Sequence, residues 1–443
     1  MDICTVGGYA EVGKNMTVVK VDNDAVVIDM GFFLPKLIDF EEEGGDRKTT
    51  TSESLIKIGA IPNDKIIDSW RKDVKVIALG HCHLDHIGAT PFLAHKYNCP
   101  IIGTPYTVEV LRNMVKEDNL MMKNEVKPLN PNSSLRVSKN VGIELINMTH
   151  STPQTAMIAV HTKEGIILYA NDFKFDNHPV VGKKPNIKRL RQLGDEGVKA
   201  LIVDSTYASD ERKTPSEKVA REMLKDVMLG TSNENNAVIA TTFASHIARL
   251  KSIYDFGVEL DRKVVFLGRS MMKYILAAEK LNLVKFQKAQ VVGYANKVKK
   301  KLKEIEREGR SNYLIVCTGS QGEPGSVLSR MTTNQLPFEF ITDDHVIFSC
   351  KTIPAPINQA NRAVLEGRLK KRKVRIFTDI HVSGHAGRED IRDLINMVKP
   401  QHIIPAHGSL SMLTALGDLA VEMDYQLGKT VHIMGNGQVL NIR

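Results

Sequence analysis

Cysteine is scarce in this 443-residue chain: Cys4, Cys82, Cys99, Cys317 and Cys350 are scattered, odd in number and free of any CxxC pair. Such a set argues against a disulfide framework and a thiolate zinc site, so the thiols read as small core residues and a cytoplasmic location is expected. Long apolar runs are missing too. No stretch approaches the roughly 18 apolar residues of a membrane span, and the first residues, MDICTVGGYAEVGK, lack the basic start and apolar region of a secretory signal. No membrane partner is therefore expected. Aromatic residues make up only 6%, which argues against broad base-stacking platforms. Internal repeats and low-complexity tracts are absent, which leaves out solenoids and repeat arrays.

What is present is a basic, globular composition. Apolar residues account for 42% and charged residues for 25%, with 60 Lys and Arg against 51 Asp and Glu, a net charge of +9. That excess suits a polyanionic partner and is equally compatible with a merely soluble protein. The length exceeds one ordinary core, so two domains, or one with a large insertion, are expected. Apolar runs at 24–29, 74–80, 143–149, 155–161, 165–170 and 199–205 read as strands, several buried on both faces. Residues 105–116 read as a helix and the acidic, polar stretch 40–54 as a surface loop. After about residue 205 strand and helix alternate regularly, through 215–228, 237–242, 263–268 and 313–319, which predicts a parallel, Rossmann-like sheet. From 374 onward His381, His385 and His407 stand beside strand-like runs such as HIIPAHG. The economical arrangement has a first domain over 1–204, an insertion over 205–373, and a return to the first domain over 374–443.

The chemistry concentrates in LGHCHLDHIGA, residues 79–89. His81, His83, Asp85 and His86 fall within six positions at the end of an apolar strand. Grouped imidazoles and a carboxylate beside a buried strand are costly without a cation, and neutral imidazole with carboxylate is what a divalent metal prefers. Alternation along an extended segment would turn His81, His83 and Asp85 to one side, leaving His86 for a second centre, so two neighbouring metals fit better than one. His150, Asp172 and His407, each ending a predicted strand, are the candidates for further ligands. His95, His161, His178, His345, His402 and His432 read as ordinary core or surface residues, and Cys82 as packing.

These residues resemble the metallo-β-lactamase superfamily, whose HxHxDH motif HCHLDH matches. The resemblance implies an α/β fold, an αββα sandwich, in which Asp29 of IDMG positions the HxHxDH loop. It further implies that His81, His83 and His150 hold one metal, that Asp85, His86 and His407 hold the other, and that Asp172 bridges them. Two divalent ions are implied, zinc in the first place and manganese second. DSTY (204–207), SGHA (383–386) and PAHG (405–408) look like motifs A, B and C of the β-CASP subgroup, which acts on nucleic acids and carries an inserted domain. On that likeness Asp204 orients His385, which meets the scissile phosphate and protonates the leaving oxygen, and Asp85, Asp204 and His385 form the catalytic set.

Within the subgroup GGYAEVGKNM (7–16), TTFASHIARL (241–250), TGSQGEPGSVLSRM (318–331) and HVSGHA (381–386) resemble the ribonuclease J family in its shorter archaeal form, which lacks a separate C-terminal domain. The resemblance implies degradation of single-stranded RNA processively from a 5′-monophosphate end, with internal cutting as a further ability, and a homodimer. Strand-to-helix turns with small hydroxyls can cradle phosphate, which makes Ser245, His246, Ser320, Gln321, Gly322 and Ser383 the candidate substrate contacts. His246 departs from the family, where Asn is expected. Basic runs at 183–191, 297–310 and 368–375 could funnel RNA, although the second mixes Lys and Glu at helical spacing as a solvated face does. The competing readings are an endonuclease of the polyadenylation-factor kind, a small-molecule metallo-hydrolase, and a non-catalytic RNA-binding module.

Overall fold

The apolar runs of the first half pair into two sheets. A computed structural model gives the structure of residues 1–442. The first sheet has seven strands in the order Gln438–Asn441, Asp2–Gly7, Met16–Val21, Asp24–Ile28, Val74–Leu79, Ile101–Gly103 and Val126–Pro128. The second has six: His402–Ala406, Val198–Asp204, Gly165–Ala170, Ala156–Thr162, Val141–Asn147 and Ser133–Arg136. Ile28, Val76 and Ala78 of the first pack against Ile158, Ile167, Ile202 and Ile404 of the second in one buried layer. The outer face of the second sheet is covered by the helices Ile187–Glu196, Arg388–Val398 and Leu410–Glu422, through Leu190, Leu193, Ile391, Leu394 and Leu416. The helix Pro105–Glu117 lies on the first sheet beside Ile101–Gly103. Each fully buried Val, Leu or Ile removes apolar surface worth about 1.5–3 kcal/mol, which is why these strands carry apolar residues on both faces. The result is an αββα sandwich.

Residues Met1–Asn177, Lys183–Thr214 and those from Gly384 onward form this unit; His178–Gly182 with Pro215–Ser383 form a second. The second unit is built on a wholly parallel sheet in the order Gln290–Val292, Lys263–Leu267, Tyr313–Cys317, Val238–Thr241, His345–Phe348 and Arg375–Phe377. Its helices follow the strands, for instance Ile247–Glu259 after Val238–Thr241, as alternating βα chemistry demands. Residues 374–383 are counted with this unit, because Arg375–Phe377 adds a parallel edge strand to His345–Phe348.

The stretch 40–54 departs from the loop expected of it. The helix Leu34–Glu42, started by Pro35 in its first turn, runs into it, and the helix Ser52–Lys57 closes it, capped by Thr51, whose hydroxyl accepts the Ser54 N–H at 3.2 Å. Proline at the first turn and a hydroxyl cap are local signals that its polarity concealed. Among the described residues no helix is long and apolar enough to cross a membrane.

Candidate metal centre

Every residue of the centre belongs to the sandwich unit and stands at or just beyond a strand end. His81 and His83 follow the strand Val74–Leu79 in extended backbone, but residues Leu84–Ile87 close into a helical turn with His83 at its N-cap. The alternation expected of an extended segment therefore stops at His83. The turn delivers Asp85 and His86 to a second group of donors, with the His86 ring still packed against His81 at 4.1 Å between centroids.

Two sets of donor atoms result. His81, His83, His150 and Asp172 bring one ligand atom each within 4.8 Å of one another, and Asp85, His86, Asp172 and His407 do the same. In the first, His81 Nε2 lies 3.0 Å and His150 Nε2 3.2 Å from His83 Nδ1. Asp172 Oδ2 is 3.3 Å from His81 Nε2 and 3.5 Å from His150 Nε2. Its other oxygen, Oδ1, turns to the second set, 3.2 Å from His86 Nε2 and 3.5 Å from His407 Nε2. Asp85 Oδ2 completes that set at 3.7 Å from His86 Nε2 and 3.8 Å from His407 Nε2. Asp172 thus divides its carboxylate between the two.

The donors fit divalent ions. Four ligands at about 2.0–2.1 Å from a tetrahedral ion are about 3.3–3.4 Å apart, and the first set has that spacing. Burial pulls His81, His83 and His150 well below the ordinary histidine value, so their rings are neutral and offer lone pairs that converge on one another. Burial also acts against the Asp172 carboxylate, yet His86 and His407 hold it well below the usual range, and its Oδ1 lies buried without a hydrogen-bond donor. Facing lone pairs and an undonated carboxylate oxygen are what a cation would satisfy. The histidine and aspartate cluster therefore suits divalent metal.

The supporting shell is as specific. Asp29 is fully buried and receives the Gly80 N–H at Oδ1, 2.9 Å, and both His86 Nδ1 at 2.7 Å and the Tyr169 hydroxyl at 3.0 Å at Oδ2. It therefore fixes the tautomer of His86 so that Nε2 is left for the centre. His150 Nδ1 donates to the Gly384 carbonyl at 2.7 Å. Asn15 Oδ1 accepts the His407 Nδ1–H at 3.0 Å, leaving His407 Nε2 for the centre, while the Asn15 NH2 group donates to the Asp85 carbonyl at 3.1 Å and lies 3.1 Å from His86 Nε2. Asp29, Asp172 and His407 all have positive φ, 58°, 50° and 52°. That left-handed backbone costs non-glycine residues about 1–2 kcal/mol each and turns the side chain off the strand line into the centre. Gly31 permits the loop to close: a Cβ there would sit 1.6 Å from the Asp85 carbonyl oxygen.

Asp204 and His385 come together at the rim. Asp204 Oδ2 lies 2.7 Å from His385 Nδ1, and the Thr206 amide donates to Asp204 Oδ1 at 2.8 Å. Burial pushes the His385 imidazole down, but the Asp204 and Asp172 carboxylates outweigh it and lift it to about 9. The ring lies nearly parallel to that of His407, centroids 5.9 Å apart and planes 9° apart. The Thr214 hydroxyl ties the segments together, donating to the His385 carbonyl at 2.6 Å and accepting the Gly387 N–H at 2.9 Å.

The remaining candidates lie in the second unit, at the carboxyl ends of adjacent strands. Ser245 and His246 follow Val238–Thr241; Ser320, Gln321 and Gly322 follow Tyr313–Cys317. His246 caps the helix Ile247–Glu259, its Nδ1 accepting the Arg249 N–H at 3.3 Å while Nε2 faces Glu217 at 3.5 Å. Gln321 spends its amide on the neighbouring loop, Nε2 donating to the Lys351 carbonyl at 3.0 Å and Oε1 accepting the Ile353 N–H at 2.8 Å. Gly322 has φ of 79° and packs against the Asn361 carbonyl. Ser383 ends the unit. Of the histidines read as ordinary, His161 pairs with Glu144 at 2.8 Å and His402 with His432 at 3.1 Å. His345 is buried beside Phe377, with neither ring nitrogen hydrogen-bonded. Asn15, Tyr169 and Gly384 were not singled out in the sequence; Asn15 and Gly384 lie inside the quoted motifs GGYAEVGKNM and HVSGHA, whereas Tyr169 in GIILYA carries no signal beyond that of an ordinary strand residue.

Comparison with known proteins agrees with this geometry. Residues 10–198 match the metallo-beta-lactamase superfamily, 235–366 the beta-CASP domain of ribonuclease J, and 371–434 the RNA specificity domain of Zn-dependent metallo-hydrolases. The chain is 44% identical to ribonuclease J of Methanocaldococcus jannaschii over 443 residues, covering 100% of this chain and 98% of that one. It belongs to the ribonuclease J family. Ribonuclease J of Pyrococcus abyssi is also 44% identical, over 99% of this chain and 97% of its own length. A crystal structure of a protein of unknown function from Enterococcus faecalis, 16% identical, covers 99% of both chains with a TM-score of 0.66 and shares the fold. The ribonuclease J family fold is thus present from end to end.

Proposed function

We propose that this chain is a metal-dependent ribonuclease that hydrolyses single-stranded RNA processively, 5′ to 3′, from a 5′-monophosphate end. The observation that carries the hydrolytic part is the divided carboxylate of Asp172, one oxygen facing His81 and His150 and the other His86 and His407. On this reading His81, His83 and His150 hold one ion, Asp85, His86 and His407 the other, and Asp172 both, with zinc as the working metal and manganese able to replace it. When bound, such a pair supplies a water activated near neutral pH and charge stabilisation for phosphodiester displacement.

The protein's own residues do the rest. His385 holds a proton at Nε2, its Nδ1 being occupied by Asp204, and delivers it to the leaving oxygen. Asp204 orients that ring and is itself oriented by Thr206. The loops of Ser245, Ser320 and Ser383 offer backbone amides and hydroxyls to the terminal phosphate, with His246 and Gly322 shaping the turns and Gln321 fastening one loop to the next. All five thiols are free and buried, which supports a reducing, cytoplasmic setting. The chain works as a homodimer.

The test is a product ladder from 3′-labelled RNA carrying a 5′-monophosphate, with zinc or manganese supplied. A full-length band that disappears without intermediates, while mononucleotides are released, is expected, and a 5′-triphosphate should slow the reaction. Defined internal fragments would make endonucleolytic cutting the main activity, and protein that stays inert with either metal would refute the reading. His385→Ala should still bind RNA and lose about 10²–10⁴-fold in turnover, the usual worth of a general acid.

A further inference from the structure

The helix Ala295–Glu308 of the second unit mixes Lys and Glu as a self-neutralised surface helix does, but its ion pairs do not run that way. Glu304 pairs with the buried Lys301 at 2.5 Å, Glu306 with Arg310 at 2.6 Å, and Glu308 with Lys263 at 2.9 Å. Each acid makes its shortest ion pair with a cation off the exposed face or outside the helix, Glu308 having Arg307 as a longer second neighbour at 3.8 Å. Lys297, Lys299, Lys300 and Lys303 remain exposed, and among the described residues none of them has a carboxylate partner. Lys299 and Lys303 are four apart, a like-charge spacing that disfavours the helix and that an anion would relieve.

Tyr294 stands immediately before this helix with 53% of its surface exposed. The guanidinium of Arg269, at the start of the neighbouring helix Arg269–Lys280, lies 5.8 Å from its ring centroid and the Lys297 ammonium 5.9 Å. An exposed aromatic flanked by two cations and continued by a stripe of unpaired lysines combines the two elements that hold single-stranded nucleic acid without regard to sequence: a platform for a base and cations for the phosphates that follow. A purely electrostatic partner would have no use for the ring.

We infer that Tyr294, Arg269 and the lysine face of Ala295–Glu308 form an RNA-holding surface, on which a base stacks on Tyr294 and the following phosphates lie along Lys297, Lys300 and Lys303. The inference rests on the proposed RNA substrate and adds to it a contact within the second unit that contributes affinity independently of the metal centre.

The experiment measures binding of a fluorescein-labelled oligoadenylate to the full chain in EDTA, by anisotropy, across a range of salt. Lys297→Gln, Lys300→Gln and Lys303→Gln combined should weaken binding about tenfold and flatten the dependence of log affinity on log salt by about 2, at about 0.7 per phosphate contact on a single strand. The corresponding triple Lys→Arg variant should restore the slope. Tyr294→Ala should lose about fivefold with its slope unchanged, and Tyr294→Phe should bind like the parent. Thermal unfolding within a few degrees of the parent verifies that the exposed substitutions leave the fold intact. An unchanged slope in the triple Gln variant, or unchanged affinity in Tyr294→Ala, overturns the inference while leaving the ribonuclease reading standing. Failure of the parent chain to bind oligoadenylate at all would count against the RNA substrate itself.

Discussion

Replacing Asp29 by Asn tests whether the centre is held together from behind. The carboxylate accepts three hydrogen bonds, from Gly80 N–H, His86 Nδ1–H and the Tyr169 hydroxyl, in a site with no exposure to water. An amide offers one oxygen and one NH2 group. If the oxygen stays with Gly80, the NH2 group faces two donors; if it turns round, the NH2 group faces the Gly80 amide. The cheaper escape is for His86 to change tautomer, accepting at Nδ1 and carrying its proton on Nε2. That proton then occupies the lone pair facing Asp172 Oδ1 at 3.2 Å, and the second donor set loses an imidazole. Losing such an orienting partner typically costs 10–100-fold in metal affinity, about 1.4–2.7 kcal/mol. A buried donor left unmatched costs a further ~1–3 kcal/mol of stability. On the proposed two-ion reading, competition against a graded series of chelators should therefore show one metal equivalent weakened by that factor, with the other little changed and RNA turnover reduced in proportion to occupancy. An Asp29→Asn protein that binds both equivalents as tightly as the parent would refute the tautomer argument.

Other perturbations separate the parts of the structure. A Cβ at residue 384 would lie 2.9 Å from the His150 ring, so Gly384→Ala should displace that imidazole and weaken metal at the first donor set about tenfold, read by the same chelator competition, without changing the helical circular dichroism. Arg249 is fully buried, clasps Glu217 at 2.6 and 3.0 Å and donates to the Ser349 and Ile380 carbonyls. Arg249→Met removes the guanidinium from the buried Glu217 carboxylate and leaves it facing His246, a loss of about 3 kcal/mol, and should lower the melting of the second unit by on the order of 10 °C in calorimetry. Glu144 would be raised by burial, but His161 and Arg189 bring it down to about 2. A depressed carboxyl stabilises the fold above its unfolded value near 4.5 and loses that contribution as pH falls toward 2. Urea midpoints between pH 5 and 2.5 should accordingly drop less in Glu144→Gln than in the parent, by on the order of 1–2 kcal/mol after allowance for solvent screening.

The HCHLDH cluster was legible because its donors are neighbours in the chain and expensive to bury without a cation. The strands were legible because runs such as VKVIAL and GIILYA are buried on both faces and carry little else. His150, Asp172 and His407 were visible only as polar residues ending apolar runs, and their grouping came from resemblance. The pairing of Asp204 with His385, 181 positions apart, could not be had from spacing at all. Tyr169 went unread because a tyrosine in a core strand looks like packing until its hydroxyl is seen on Asp29.

The helix 295–308 marks a sharper limit. Lysine and glutamate at helical intervals satisfy the rule for intrahelical pairs, and spacing alone cannot tell whether the acids are free to obey it. Here two of them answer to Arg310 and Lys263, residues beyond or before the helix, and the third to a buried lysine within it. Gln321 repeats the lesson with opposite sign: a side chain suited by type to phosphate has its amide committed to the Lys351 and Ile353 backbone. Charge and hydrogen-bonding capacity are properties of a residue, but availability depends on which neighbours the fold delivers. A site read from sequence is therefore most secure where the chain itself supplies the neighbours, as it does between His81 and His86.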